Sequence, residues 1–416
     1  MRWKETVLRL RNPRRSDRAA RVKGVGRLTR VIVVGAGVIG AAVTRALTAA
    51  GVRVLLLDRG AIGSGTSSRC DGNVLAIDKN PGYDARMTLL SQELLHDLAR
   101  DLGEIEYRRP GSYLVCDNEE EVEPARRWVD ENRASGLPFT FLDHDRLHAR
   151  LPDLAEDVPA GLFCASDATL NPLLYVARMV AWARERGAAV RTHTPVSRIG
   201  PENDGTPWVE TEAGERLLAD AVVVAAGVWT PALLAPLGFD LPIRPRKGTL
   251  LVSARGRRFG DVKVMEFGYL MSKFGQARRA TAEMERYGVA LVYEPTTSGN
   301  FLLGSSREFL GQDTAVAQAV VRAIAGRAVR FYPDMARATL IRAYAGLRPW
   351  TPDHLPIVSA LPGHGGLFAA AGHEGDGIGL AAVTGALVAD LVLGRPPRID
   401  PGPLAIARFD PGGSAA

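Results

Sequence analysis

Cysteine is scarce in this sequence: Cys70, Cys116 and Cys164 are the only three in 416 residues. They lie far apart and in no Cys-x-x-Cys or Cys/His spacing, which excludes a disulfide framework and a metal or iron–sulfur site built by this chain, and fits a reducing cytoplasm. Long apolar runs are also missing. The best candidates, near Val31 and Leu380, are broken by glycines or fall short of the ~20 residues a membrane-spanning helix requires, so no transmembrane segment is expected. Basic charge is absent from the body of the chain. The formal net charge is +6, but residues 1–30 hold eleven Lys/Arg against Glu5 and Asp17, a net of +9, which leaves −3 for the rest. A basic surface that would steer nucleic acid is thereby excluded, and residues 1–28 are expected to form a disordered leader outside the fold. Arg14-Arg15 opens no twin-arginine signal, because no apolar stretch follows it.

What is present is enough chain for two interleaved domains. Val31 to Val34 reads as a strand, Gly35-Ala36-Gly37-Val38-Ile39-Gly40 as a tight turn opening a helix, and Val52 to Leu57 as a returning strand buried on both faces. Further helices are expected over 83–103, 171–187 and 316–329, with a last one over 380–393. Strands are expected at 112–116, 189–199, 221–227 and 366–371, and a hairpin around Thr297-Ser298-Gly299-Asn300. Gly346 to Pro356 reads as a loop. The fold class is α/β, α+β overall: a Rossmann-type dinucleotide-binding domain in discontinuous segments, 29–110, 150–240 and 340–395, and a substrate domain with an antiparallel sheet from 111–149 and 241–339. Residues 396–416 form a tail.

The Gly35/Gly37/Gly40 loop carries the first chemical signal. Gly35 permits the tight turn, Gly37 lets backbone approach a pyrophosphate, and Gly40 allows close helix–strand packing, while the helix start offers N–H donors to phosphate. Asp58 ends the second strand where a carboxylate can accept from ribose hydroxyls. NAD and FAD share this unit. Three features favour FAD: a second glycine- and hydroxyl-rich loop at Gly63-Ser64-Gly65-Thr66-Ser67-Ser68, the strand end Ala225-Ala226-Gly227, and Gly372-His373-Glu374-Gly375-Asp376-Gly377-Ile378-Gly379, which opens the last helix and could stabilise charge on a reduced flavin. The bland alternatives are helix caps and ordinary turns.

With these blocks in order, the sequence resembles the glycine/D-amino-acid oxidase (DAO) superfamily of FAD enzymes over residues 30 to 395. The resemblance rests on Val33 to Gly40, on Val224-Ala225-Ala226-Gly227-Val228-Trp229, on Ala345-Gly346-Leu347-Arg348-Pro349-Trp350-Thr351-Pro352-Asp353, and on Gly372-His373-Glu374-Gly375. The last block is similar to that of the β subunits of dye-linked amine dehydrogenases, including those of D-hydroxyproline dehydrogenase, opine oxidase and hydrogen cyanide synthase.

The resemblance implies FAD as cofactor, held by Gly35, Gly37, Val38, Ile39, Gly40, Asp58, Arg59, Ser64, Thr66, Ser67, Ser68, Val196, Ala226, Gly227, Trp229, Gly372, Gly375, Asp376, Gly377, Ile378 and Gly379. It implies that Arg348 pairs with a substrate carboxylate, for which a guanidinium fork is suited; an interdomain salt bridge is the alternative. His373 and Glu374 complete the candidate catalytic set, against the alternatives of a buried, satisfied histidine and a carboxylate binding backbone amides. Gly375 stands where glycine-oxidase-like proteins have a bulkier or basic residue. Cys70 falls in no flavin-attachment motif, and Lys247 either borders the site or is an ordinary turn lysine. The expected reaction is hydride transfer from the C–N carbon of a small amino acid or amine to flavin N5, with electrons passing to a partner subunit carrying FMN or iron–sulfur. An oxygen-using oxidase, a non-catalytic flavin-binding subunit and an RNA-associated flavoprotein are the alternatives.

Overall fold

The computed structural model describes residues 30–273 and 278–409; the basic leader, the segment 274–277 and the last seven residues lie outside the described residues. The chain opens with β1 (Val31–Val34), α1 (Val38–Ala49) and β2 (Val54–Leu57). Every residue of both strands is buried, which is why each is Val, Ile or Leu throughout; a fully buried side chain of this kind contributes about 1.5–3 kcal/mol. β1 pairs in parallel with β2 on one side and with β3 (Ala221–Val224) on the other, so a strand from far along the chain completes the turn that holds Gly35.

Beyond β3 come β4 (Arg244–Ser253), a short helix α2 (Phe267–Lys273), β5 (Leu340–Trp350), β6 (Leu367–Ala371) and α3 (Gly377–Val392). The dinucleotide sheet has the order Ile357–Ala360, β6, β3, β1, β2, Ala189–Arg191, all parallel except its first strand. α3 is apolar on nearly all sides because it packs on both α1 and the helix Tyr83–Leu102.

The second sheet has eight strands, in the order β5, β4, Phe301–Gly304, Val292–Pro295, Lys263–Glu266, Ser112–Val115, Ala160–Cys164, Phe139–Asp143. Its longest pairing is β4 with β5, antiparallel, which sets Arg246 opposite Arg348 and Gly248 opposite Gly346. The hairpin expected around Thr297–Asn300 is present, with Thr296 N donating to Asn300 O at 3.0 Å.

Several sequence expectations need correction. The loop expected from Gly346 is strand as far as Trp350, because β4, a hundred residues upstream, supplies hydrogen-bond partners that local pattern does not reveal. The single strand expected over 189–199 is two strands in different sheets, Ala189–Arg191 and Val196–Pro201; between them His193 takes φ +50° and Pro195 has no N–H to donate. Ala160–Cys164 and β5 sit in the eight-stranded sheet, not the dinucleotide sheet. The described part of the C-terminal tail is anchored: Leu404 is fully buried, and Arg408 Nε bonds Asp353 at 2.6 Å.

Candidate active site

The first turn is shaped by atoms its glycines lack. A β-carbon on Gly40 would overlap the carbonyl of Gly35, and one on Gly35, which sits at φ +108°, would overlap the carbonyl of Ala225. Gly37 differs, since a β-carbon there would meet only Ser67 Oγ, at 3.4 Å. Val38 N donates to Ser67 Oγ at 2.9 Å, and no acidic side chain occupies the first turn of α1, so the positive end of the helix remains for an anion. Asp58 accepts from Ala36 N at 2.6 Å and Gly60 N at 2.7 Å, one through each oxygen, and each oxygen retains a second lone pair.

The second loop is held largely by its own hydroxyls. Thr66 Oγ1 donates to Leu347 O at 2.7 Å, Ser68 Oγ to Gly65 O at 3.1 Å, and Ser67 Oγ caps α1 as described; Ser64 is exposed. The Arg59 guanidinium lies 3.6 Å from the ring centre of Trp229, closing this end of the cradle. Val196 opens a strand two residues after Thr194, whose N–H donates to Asp58 O at 2.7 Å. Ala226 and Gly227 turn away from β3, Gly227 at φ +57° with open space where a β-carbon would stand.

A pocket lies between this cradle and the eight-stranded sheet, walled by Asp71, Asn73, Arg246, Tyr269, Lys273, Arg348, Glu374, Gly375 and Asp376 among others. Arg348 donates through Nη1 to Ser306 O at 2.9 Å, and among the described residues it has no carboxylate within 4.0 Å. Arg246 pairs with Glu374, whose other oxygen is 2.8 Å from His354 Nδ1. Asp376, at the N-cap of α3, meets Lys79 at 2.7 Å and Lys273 at 3.5 Å; Asp78 also pairs with both lysines. His373 is not in the wall. Its Nε2 is hydrogen-bonded to Thr384 Oγ1 at 3.0 Å, and burial lowers its pKa to about 3, so the ring is neutral and satisfied.

Residues 30–391 match the family described as "DAO: FAD dependent oxidoreductase". This chain belongs to the DAO family of FAD-dependent oxidoreductases. It is 30% identical to a glycine oxidase of Pseudomonas aeruginosa over 91% of this chain and 98% of the relative, and 30% identical to a D-amino acid dehydrogenase of Cereibacter sphaeroides over 80% and 73%. The crystal structure of glycine oxidase from Geobacillus kaustophilus superposes with a TM-score of 0.83 at 27% identity, over 91% of this chain and 99% of that one. The DAO-family assignment makes the chain an enzyme with FAD as its cofactor and amino acid oxidation as its class of reaction.

Electrostatics distinguish the pocket of this DAO-family member from an ordinary charged surface. Burial and the neighbouring Arg307 and Arg348 bring the Arg246 guanidinium down to about 9. Burial pushes the Tyr269 phenol up, but Arg307, Arg348 and Lys273 outweigh it and bring the group to about 8. The Arg307 guanidinium stacks 3.4 Å from the Tyr269 ring centre. Burial opposes ionisation of Asp376, yet Lys273 and Lys79 hold its carboxyl far below the usual range. His354 falls to about 4, through burial first and then the charges of Lys273 and Arg246.

Of the candidate residues, Arg348 and Glu374 from the catalytic set and Gly375 and Asp376 from the cofactor set line one pocket, while Asp71, Asn73, Arg246, Tyr269 and Lys273, which line it too, were not among the candidates. Their charges look like those of any solvated face, and only strand register and the packing of α2 bring them inward. Lys247 does not border the pocket; it is buried with Nζ 2.7 Å from Ala315 O and 3.1 Å from Asp313. Cys70 is a thiol that burial pushes well up, directed to Ser67 O at 3.5 Å.

Proposed function

We propose that this chain oxidises the C–N bond of a small amino or imino acid, glycine-like, a D-amino acid or D-hydroxyproline, whose carboxylate is gripped by Arg348. The observation that carries this reading is the Arg348 guanidinium in the pocket wall, bonded to one backbone carbonyl and to no carboxylate among the described residues. A partly buried guanidinium with no carboxylate paired to it is costly, and a substrate carboxylate taking its fork relieves that cost. The glycine oxidase and D-amino acid dehydrogenase relatives support a substrate of this size.

FAD fits the cradle, which has an open face at Gly37, a helix start free of acidic side chains, and open space beside Gly227. Backbone from Gly35 to Gly40 would take the pyrophosphate, Asp58 the ribose, and the segment from Gly372 into α3 the flavin end. When bound, FAD supplies the two-electron oxidation by accepting hydride at N5. The chain's own residues bind and orient. Arg348 fixes the carboxylate, Glu374 keeps Arg246 in place, and His373 anchors its loop to α3 through Thr384, in line with the buried-histidine alternative rather than proton transfer.

In this reading electrons go on to a partner subunit carrying FMN or iron–sulfur, with which the lack of any cysteine cluster spacing in this chain agrees. Rapid peroxide release under air would replace that acceptor with oxygen. The clamp itself is tested by Arg348→Ala, measured as anaerobic flavin bleaching against a panel of amino acids. A loss of substrate affinity of roughly a hundredfold, with flavin content unchanged, is expected for a charge-assisted bidentate contact. Unchanged affinity and turnover would sink the reading.

A further inference from the structure

The pocket that holds the carboxylate clamp is also lined by part of a buried cluster that the reaction so far leaves without a role. Lys263 is wholly buried, with Nζ 2.9 Å from Asp71 Oδ2 and 2.9 Å from Glu294 Oε2, and it also contacts Asn73 Oδ1. Glu294 accepts in addition from Gly72 N at 2.9 Å. One ammonium thus serves two carboxylates, a formal charge of −1 over the three groups. Of them, Asp71 is the one in the pocket wall; Lys263 takes its Oδ2, and Oδ1 has no side-chain partner among the described residues. Burial opposes ionisation of Asp71, but the charge of Lys263 and its hydrogen bond hold the carboxyl below its usual range, while burial pushes Glu294 up.

The pocket therefore presents a cation, Arg348, and an anion, Asp71, that do not pair with each other within 4.0 Å. We infer that Asp71 receives the substrate's ammonium group, so that Arg348 and Asp71 together select zwitterions. This rests on the Arg348 reading and goes beyond it. A carboxylate bearing no amine gains nothing from Asp71 and is repelled by it. An amino acid closes both contacts. Lys263 positions Asp71 and holds its charge, and Glu294 fixes Lys263 in turn.

The test compares two ligands of the same shape, 2-aminoisobutyrate and pivalate. The first lacks an α-hydrogen and is not oxidised; the second carries a methyl group where the first has its ammonium. Binding to the FAD-loaded enzyme is followed by calorimetry. In the wild type 2-aminoisobutyrate is expected to bind roughly tenfold tighter, the worth of one charged hydrogen bond. In D71N that preference is expected to vanish while pivalate binds as well as before or better. If D71N does not fold with its flavin, Asp71→Ser removes the charge and gives the same readout. A preference that survives in the variant overturns the inference and leaves Arg348 standing. Failure of both ligands to bind the wild type overturns both readings.

Discussion

The guanidinium of Arg348 lies across the backbone of Gly248, so closely that a β-carbon on Gly248 would overlap it. Gly248 faces Gly346 in the β4–β5 ladder, so two strands without side chains at this rung make the shelf on which the clamp rests. Gly248→Ala should push the guanidinium off this shelf while leaving the ladder intact, since the colliding atoms are the end of a flexible side chain. The expected result is a rise in KM for the amino acid of roughly tenfold, with kcat and flavin content little changed, as read by steady-state kinetics.

Gly37 calls for a different experiment. Its backbone is extended, with φ −72° and ψ −177°, and the only atom near an added β-carbon is Ser67 Oγ. Gly37→Ala should therefore cost the apoprotein about 1 kcal/mol or less in urea unfolding, yet fill the space a pyrophosphate needs. FAD affinity, measured by flavin fluorescence on reconstitution, is expected to fall at least tenfold. Undiminished affinity would move the cofactor away from this turn.

Tyr269 gives the pocket an alkaline limb. Its phenol ionises near 8, and the phenolate then offers Arg348 a negative charge that competes with a ligand carboxylate. Binding of an amine-free carboxylate such as pivalate should weaken as pH rises through about 8. Tyr269→Phe should abolish that limb and leave binding at pH 6.5 similar to wild type. A limb that persists in the variant would assign the ionisation elsewhere.

Asp376 ties α2 to α3 through Lys273 and Lys79. Removing one partner of a buried ion pair costs about 3–5 kcal/mol; Asp78 remains beside both lysines, so Asp376→Asn is expected to lose roughly 2 kcal/mol in urea unfolding at pH 7. Because the folded carboxyl is depressed, its contribution is complete above the unfolded value of about 3.9, shrinks progressively below it, and is lost only as pH falls through the depressed folded value. The gap between wild type and variant should therefore narrow steadily below pH 4. A constant gap from pH 7 to pH 3 would show that the charge of Asp376 is not what stabilises.

The cradle was legible in the sequence because Gly35, Gly37, Gly40 and Asp58 lie within one βαβ unit, where spacing alone dictates geometry. Arg348 was legible only through the resemblance of its block to a family, since nothing local separates it from other strand arginines. The rest of the pocket wall was not legible from local pattern. Asp71, Arg246, Tyr269 and Lys273 arrive from four distant segments, and what turns them inward is the pairing of Arg246 with Arg348 across β4 and β5 and the packing of α2 beside Asp376. The hydroxyl loop shows the converse. Read as a cofactor loop, it uses the side chains of Thr66, Ser67 and Ser68 on protein partners, so what it offers a ligand comes largely from backbone and from the exposed Ser64.

The bond from Thr66 to Leu347 O joins the dinucleotide loop to β5 at the residue immediately before Arg348. One peptide unit thus separates the anchor of one ligand's loop from the clamp on the other ligand, about 3.3 Å along the strand. In the proposed reading, the loop beside the dinucleotide and the clamp on the substrate carboxylate are thus tied to one strand. A displacement of that strand would reach both contacts, and by thermodynamic reciprocity any binding coupling between the two ligands would run equally in both directions.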